Sequence, residues 1–247
     1  FCKEFNVKYA ERGLMKNIEG FDLDYAFTVG WRWLIKSDVK LIVLHDSLLP
    51  KYRGFAPLVN ILINGENEIG VTALFASEHY DAGDIILQKS IAIEYPIKIK
   101  NAIEKVSVLY SEIVLELIRK IDNSESICGV VQNAREASYS LWLSDEDYQI
   151  DWSKDASFIH RFINSVSYPY KGASTLINGN VKVRIMDSQL YDDVVVENRH
   201  FGKVIFIDDG CPVIVCGIGL LKVTEMFDEK SGLSMIPLKK FRTKFTS

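Results

Sequence analysis

Two polar loops carry the side chains of this sequence that are best suited to acid–base chemistry. The loops, at residues 45–54 and 78–84, each follow an apolar run that is typical of a buried strand. Open α/β sheets place their ligands in loops at the ends of such strands. His45 can exchange a proton near neutral pH, and Asp81 can orient its ring and favour its charged form. The pattern therefore predicts one active site built from both loops.

Apolar and helical patterns predict the elements that must position these loops. In chain order we expect strands at 22–29 and 40–44, a helix near 56–64, strands at 70–75 and 85–93, helices at 99–121 and 151–166, and short strands at 173–177, 181–186, 203–207, 213–216 and 220–224. Asn-Gly and Asp-Gly turns between the last strands favour a small open barrel. We predict a catalytic α/β domain at 1–136, a connecting segment at 137–150 and a β-rich domain at 151–247.

The composition is that of an ordinary globular protein, with 48% hydrophobic residues and a net charge of −4 among 247 residues. Electrostatic binding to a nucleic-acid backbone over a broad surface needs clustered Lys and Arg, so no nucleic-acid partner is expected. No apolar run approaches the roughly 20 residues that span a bilayer, so no membrane partner is expected. The four scattered cysteines predict buried free thiols, no metal site is expected, and we expect a cytoplasmic protein.

The motif His-x-Ser-Leu-Leu-Pro-x-Tyr-Arg-Gly at 45–54 is followed by Gly-Val-Thr at 70–72 and Asp-x-Gly-Asp at 81–84. Together they resemble the formyltransferase family that uses N10-formyltetrahydrofolate, closest to sugar N-formyltransferases and related to methionyl-tRNA formyltransferase. Asp-Trp-Ser at 151–153 and Tyr-Pro-Tyr-Lys-Gly-Ala at 168–173 are similar to the family's later domain. The resemblance implies a Rossmann-like formyltransferase domain before a small β-rich, open-barrel-like domain. It also leads us to expect that the first strand–helix–strand unit of relatives is missing here.

The resemblance implies that His45 and Asp81 are the catalytic residues. Formyl transfer to an amine needs a base for the proton that the amine loses, and donors for the developing oxyanion. The co-substrate N10-formyltetrahydrofolate is expected to lie against the cofactor-binding residues Trp33, Ile35, Ser77, Glu78 and Asp81.

One position departs from the family pattern. The family carries Asn two residues before the histidine, and its amide donates to the formyl oxygen. Val43 occupies that position here and cannot donate a hydrogen bond. Loss of one oxyanion donor costs about 3–4 kcal/mol of barrier in other enzymes. Another donor is therefore expected to compensate, or the reaction is slow or altered.

Three interpretations of the acceptor remain open at this point. The first is a nucleotide-linked aminodeoxysugar used in surface polysaccharide (lipopolysaccharide O-antigen) biosynthesis, which the connecting segment and the acidic charge favour. The second is methionyl-tRNA, although no Lys/Arg cluster precedes Lys239 and Lys240 in the second half of the chain. The third is a catalytically impaired member that binds folate or sugar. Strands of the second domain could also pair between subunits, so a homodimer is one arrangement that the pattern allows.

Overall fold

The computed structural model of this protein describes residues 2–6, 23–30 and 39–247. In chain order its elements are β1 (Tyr25–Val29), β2 (Lys40–His45), β3 (Arg53–Gly54), α1 (Pro57–Asn64), β4 (Glu68–Phe75), β5 (Ile85–Ala92), α2 (Ile99–Asp122), β6 (Tyr139–Ser140), α3 (Ala156–Val166), β7 (Ala173–Ile177), β8 (Val181–Tyr191), β9 (Val204–Asp208), β10 (Cys211–Val215), β11 (Leu220–Asp228) and β12 (Phe245–Thr246).

The first sheet has the strand order β1-β2-β4-β5 and mixes both strand directions. β2 runs parallel to β1, whereas β4 is antiparallel to both β2 and β5. In this register His45 pairs with Thr72 and Phe75 pairs with Ile42. The two loops therefore leave β2 and β4 at opposite ends, which the pattern of apolar runs did not reveal. The second loop has to fold back to approach the first.

Two helices pack on this part of the molecule. Pro57 at the first turn of α1 fits a position where no intrahelical N–H is needed, and Gly65 ends the helix in a left-handed conformation. Most of the predicted apolar stripe of α2 is buried, although Ile118 is 39% exposed, and α2 packs against β4 and β5. The stripe residues that are fully buried include Ile99, Ala102, Val106, Leu109, Ile113 and Leu117.

The second sheet is antiparallel, with the strand order β12-β7-β8-β11-β10-β9. It forms a curled half-barrel, which agrees with the predicted open barrel. α3 packs against β8, and the side chain of Asp155 caps this helix by accepting a hydrogen bond from Ser157 N at 2.7 Å. The mixed α/β fold class predicted from the sequence is therefore confirmed.

The two sheets share one hydrophobic core. Buried residues from β2, α1, α2, α3, β8 and β11 belong to a single cluster, and α1 packs directly against α3. Across this contact Arg161 Nε donates to Ile63 O at 2.9 Å. Segment 137–150 is also held at both ends, because β6 pairs with β3 and the Asp145 carboxylate accepts from Arg184 Nη2 at 2.6 Å. Hydrogen bonds from Lys182 and Arg184 hold the pKa of Asp145 well below its ordinary value.

The cysteines are all free, but only part of the expectation for them is met. Cys211 and Cys216 are buried, whereas Cys128 is exposed. Burial raises the pKa of the Cys216 thiol to about 12. Of the helices that the structure describes, none combines the length and apolar character needed to cross a bilayer.

Truncation of the α3 core face should destabilise the whole molecule. Ile163 is fully buried on α3, so Ile163→Ala leaves a cavity and should cost about 3 kcal/mol of unfolding free energy, measured by urea denaturation. Leu115→Ala on α2 removes the same kind of side chain from a position that is 53% exposed, and is the matched control. Equal losses in the two variants would contradict this account of the core.

Candidate active site

A cleft of about 840 Å³ lies over the first sheet and is closed on one side by later parts of the chain. Its volume falls within the roughly 300–1,000 Å³ typical of small-molecule sites. Side chains of β2, α2 and the second loop line it, and Trp142, Tyr148 and Tyr170 reach it from beyond the first sheet. Among the described residues, the lining contains neither Lys nor Arg.

His45 ends β2 and lines this cleft, although only 6% of its surface is exposed. Its Nε2 lies 2.8 Å from the carbonyl oxygen of Tyr52. Because a carbonyl can only accept, Nε2 carries the hydrogen and donates it. This leaves Nδ1, which faces Asp81 Oδ2 at 3.6 Å, as the nitrogen that can take up a proton.

Asp81 is held in place by the backbone of the first loop. Its Oδ2 accepts a hydrogen bond from Gly54 N at 2.8 Å. Gly54 has φ of 101°, and a Cβ there would lie 2.7 Å from the carbonyl oxygen of Ser140. Glycine is therefore required for this N–H to point at the carboxylate while β3 pairs with β6. Asp81 itself has φ of 52°, a strained conformation that the loop has to support.

Gln132 provides that support, and sequence reasoning missed it. Its side-chain amide donates to the carbonyl oxygens of Asp81 at 2.8 Å and Gly83 at 2.7 Å. Its Oε1 accepts from Arg53 Nη2 at 2.6 Å and Arg53 Nε at 3.1 Å. Gln132 thus connects both loops and folds the second one back over the site. It lies 51 residues beyond Asp81, and no local pattern in the sequence marks it.

A second polar contact in the cleft was also missed. Tyr110 was expected to belong only to the apolar stripe of α2, but its hydroxyl lies 3.5 Å from Asp46 Oδ1, and both residues line the cleft. Burial, followed by the negative charge of Asp46, raises the pKa of Tyr110 far above its ordinary value, so the hydroxyl remains protonated. Val43 lines the same cleft between Thr28 of β1 and Leu74 of β4.

Only some of the residues expected to contact folate line the cleft in the described part of the structure. Ser77 lines the cleft together with Asp81, and its Oγ donates to His79 O at 2.7 Å. Glu78 is exposed and is not among the lining residues. Trp33 and Ile35 lie outside the described residues. Within the described ranges, no cluster of three or more His, Cys, Asp or Glu side chains could hold a metal ion.

Replacement of Gln132 should separate its two roles. Gln132→Leu removes the acceptor of Arg53 Nε and Nη2, on a guanidinium whose residue is 5% exposed, and should cost about 3 kcal/mol in urea unfolding. Gln132→Glu restores an acceptor for Arg53 but places a carboxylate oxygen against two carbonyl oxygens. It should therefore remain clearly less stable than the unaltered protein. Full stability of both variants would show that this network does not hold the loop.

Residues 6–116 match the family described as "Formyl transferase", and residues 143–238 match "Formyl transferase, C-terminal domain". The methionyl-tRNA formyltransferase of Syntrophomonas wolfei is 34% identical over 206 residues, which is 83% of this chain and 63% of that protein. The chain spans about three fifths of the length of the curated relatives it matches.

Two solved structures share the fold. HypX from Aquifex aeolicus, in a multiply substituted variant, aligns with a TM-score of 0.67 at 22% identity over 87% of this chain and 38% of that one. WlaRD, described as a sugar 3N-formyl transferase in the presence of dTDP and 5-N-formyl-THF, aligns with a TM-score of 0.66 at 22% identity over 91% and 79%. With both domains of the family matched in order, over residues 6–116 and 143–238, this chain belongs to the formyltransferase family.

Proposed function

We propose that this protein is an enzyme that transfers the formyl group of N10-formyltetrahydrofolate to a primary amine. The observation that carries this proposal is the approach of His45 Nδ1 to Asp81 Oδ2, at 3.6 Å, inside the cleft. A base at that position takes the proton of an attacking amine, and the carboxylate stabilises the resulting imidazolium. Family membership and the 5-N-formyl-THF named with the WlaRD structure support the choice of formyl donor.

The residues of this chain fit such a donor. The cleft combines apolar walls with few polar groups, as sites for flat heterocycles do. When bound, the folate supplies an activated formyl carbon, and the chain must bind it, orient the amine and manage protons. We assign the binding of the folate to Ser77 and Asp81 of the cleft, together with Trp33 and Ile35; Glu78, which does not line the cleft, is left out of this assignment.

We further propose that His45 and Asp81 have separate tasks. His45 donates through Nε2 to Tyr52 O, so its ring is fixed with Nδ1 as the proton acceptor. Asp81 is fixed by Gly54 N and therefore keeps its charge directed at Nδ1. Of the two protons that an ammonium acceptor loses on formylation, one ends on the leaving nitrogen of the folate and the other is released.

A nucleotide-linked aminosugar is the acceptor that the cleft supports best. Trp142, Tyr148 and Tyr170 line the cleft, and Trp142, which is 65% exposed, offers a face for a nucleobase or a sugar ring. WlaRD is named a sugar 3N-formyl transferase and its structure was determined in the presence of dTDP, which supports the same class of acceptor.

Methionyl-tRNA is a second candidate because of one surface and one relative. Lys203, Lys239, Lys240, Arg242 and Lys244, here called the basic patch, are exposed, and none of them forms an ion pair with a residue that the structure describes. The backbones of Lys203 and Lys244 meet in one bridge, which joins the starts of the two edge strands, β9 and β12, and brings these two lysines together. Clustered cations of this kind suit a phosphate backbone. The Syntrophomonas wolfei relative is named for this substrate.

Paired acceptor assays will separate the two candidates. We expect the protein to formylate a dTDP-linked 3-amino sugar in the presence of N10-formyltetrahydrofolate, with a KM that does not change in Lys240→Ala. If methionyl-tRNA is the acceptor instead, Lys240→Ala should weaken the binding of methionyl-tRNA. It should also reduce the slope of log affinity against log salt concentration by about one unit. Folate binding without turnover of either amine would contradict both candidates and would support a pure binding module.

His45→Ala should lower kcat by about 10²–10⁴-fold, because it removes the base. His200→Ala, at an exposed loop position, is the control and should have no effect. Asp81→Asn should lower kcat in the same direction, since it removes the charge that stabilises the imidazolium. Unchanged turnover in His45→Ala would overturn the assigned mechanism, and the activity would then need another base.

A further inference from the structure

The cleft contains two carboxylates, Asp46 and Asp81, whose surroundings differ. Asp81 is engaged by Gly54 N and by His45. Asp46 forms no ion pair with any residue that the structure describes, and its hydrogen-bond partner is the Tyr110 hydroxyl, at 3.5 Å from Oδ1. Its other oxygen, Oδ2, has no hydrogen-bond partner among the described residues. Asp46 therefore has capacity to bind a ligand.

Tyr110 determines how Asp46 is presented to the cleft. Tyr110 follows Ile103 and Val106 on α2, and these two residues contribute only apolar surface to the wall of the cleft. The other hydroxyl that α2 brings to the cleft, Ser107 Oγ, donates to its own helix at Ile103 O at 2.7 Å. Tyr110 is thus the α2 residue that supplies a donor to a cleft carboxylate. By donating to Oδ1 it orients Asp46 and leaves Oδ2 available.

The charge of this pair excludes one role and favours another. With Val43 unable to donate, the Tyr110 hydroxyl could be considered as a donor for the oxyanion of the reaction. A carboxylate 3.5 Å away, however, would repel an anion bound there. With neither Lys nor Arg among the described lining residues to offset it, the negative charge of Asp46 favours a cation.

We propose that Asp46, oriented by Tyr110, binds the amino group of the acceptor as its ammonium ion beside His45. The inference rests on the proposed function, because it names the group that positions the amine for that reaction. Asp46 and His45 line the same cleft, and the charge of Asp81, which faces His45, also acts on the Tyr110 hydroxyl that contacts Asp46, so an ammonium bound to Asp46 lies near the base. Asp46 recognises the cation and His45 removes its proton. Asp46 and Tyr110 act as positioning and specificity-determining residues.

The test measures preference for an amine over a hydroxyl in the same ligand. Dissociation constants of a dTDP-linked 3-amino sugar and of its 3-hydroxyl counterpart are determined by calorimetry, which does not depend on turnover. In the unaltered protein the amine should bind about 10-fold more tightly, the usual size of a hydrogen bond to a charged group. Asp46→Asn should abolish this preference, raise the acceptor KM by the same factor and leave the folate KM unchanged. Tyr110→Phe should also reduce the preference for the amine, by about 3-fold.

Two variants serve as controls for charge and for helix geometry. Glu104→Gln removes a negative charge from an exposed position of α2, and Ser107→Ala removes the other cleft hydroxyl of α2. Neither should change the preference. If the unaltered protein binds both ligands equally, or Asp46→Asn keeps the preference, the inference is wrong. If the preference depends on Asp46 but no amine is formylated, the inference stands and the proposed reaction fails.

Discussion

The site depends on one carboxylate that two loops share. Asp81 Oδ2 accepts the N–H of Gly54 and faces Nδ1 of His45, so a single oxygen joins the loop after β2 to the loop after β4. Because these strands are antiparallel, their following loops start at opposite ends of the sheet. The contact exists only because the second loop folds back over the first. If the loop between β4 and β5 extended away from the sheet instead, His45 would not face Asp81.

The energy that keeps the loop folded back comes from groups outside the motif. Gln132 binds two carbonyls of the loop and also the guanidinium of Arg53, which is 5% exposed. A buried guanidinium, a buried carbonyl and a partly buried carbonyl are costly to leave unpaired, so one side chain stabilises several groups at once. The pairing of β3 with β6 places Ser140 against Gly54 and excludes any Cβ there. The positive φ of Asp81 is maintained by these contacts.

The charges of the side chains that line the cleft limit the charge of the ligands that it can bind. In the described lining the charges come from carboxylates and histidines, with no permanent cation. A polyanionic ligand would therefore have to keep its phosphates outside this lining, with only its amine-bearing end next to His45. The basic patch lies on the second sheet, outside this lining. This separation of charge is compatible with an aminosugar held at the aromatic side of the cleft, and it makes tRNA binding depend on a surface outside the cleft.

Sequence alone determined the family, the mixed fold class, most element positions and the pairing of His45 with Asp81, because these depend on local periodicity and a contiguous motif. It did not reveal the antiparallel direction of β4, which is set by hydrogen-bond register between strands. The contacts of Gln132 join residues 49 to 79 positions apart, and the Asp46–Tyr110 contact joins residues 64 positions apart. No local pattern in the sequence relates residues at such separations, so these contacts could not be predicted. Only tertiary packing, which brings α2 and the segment after it over the sheet, decided those contacts.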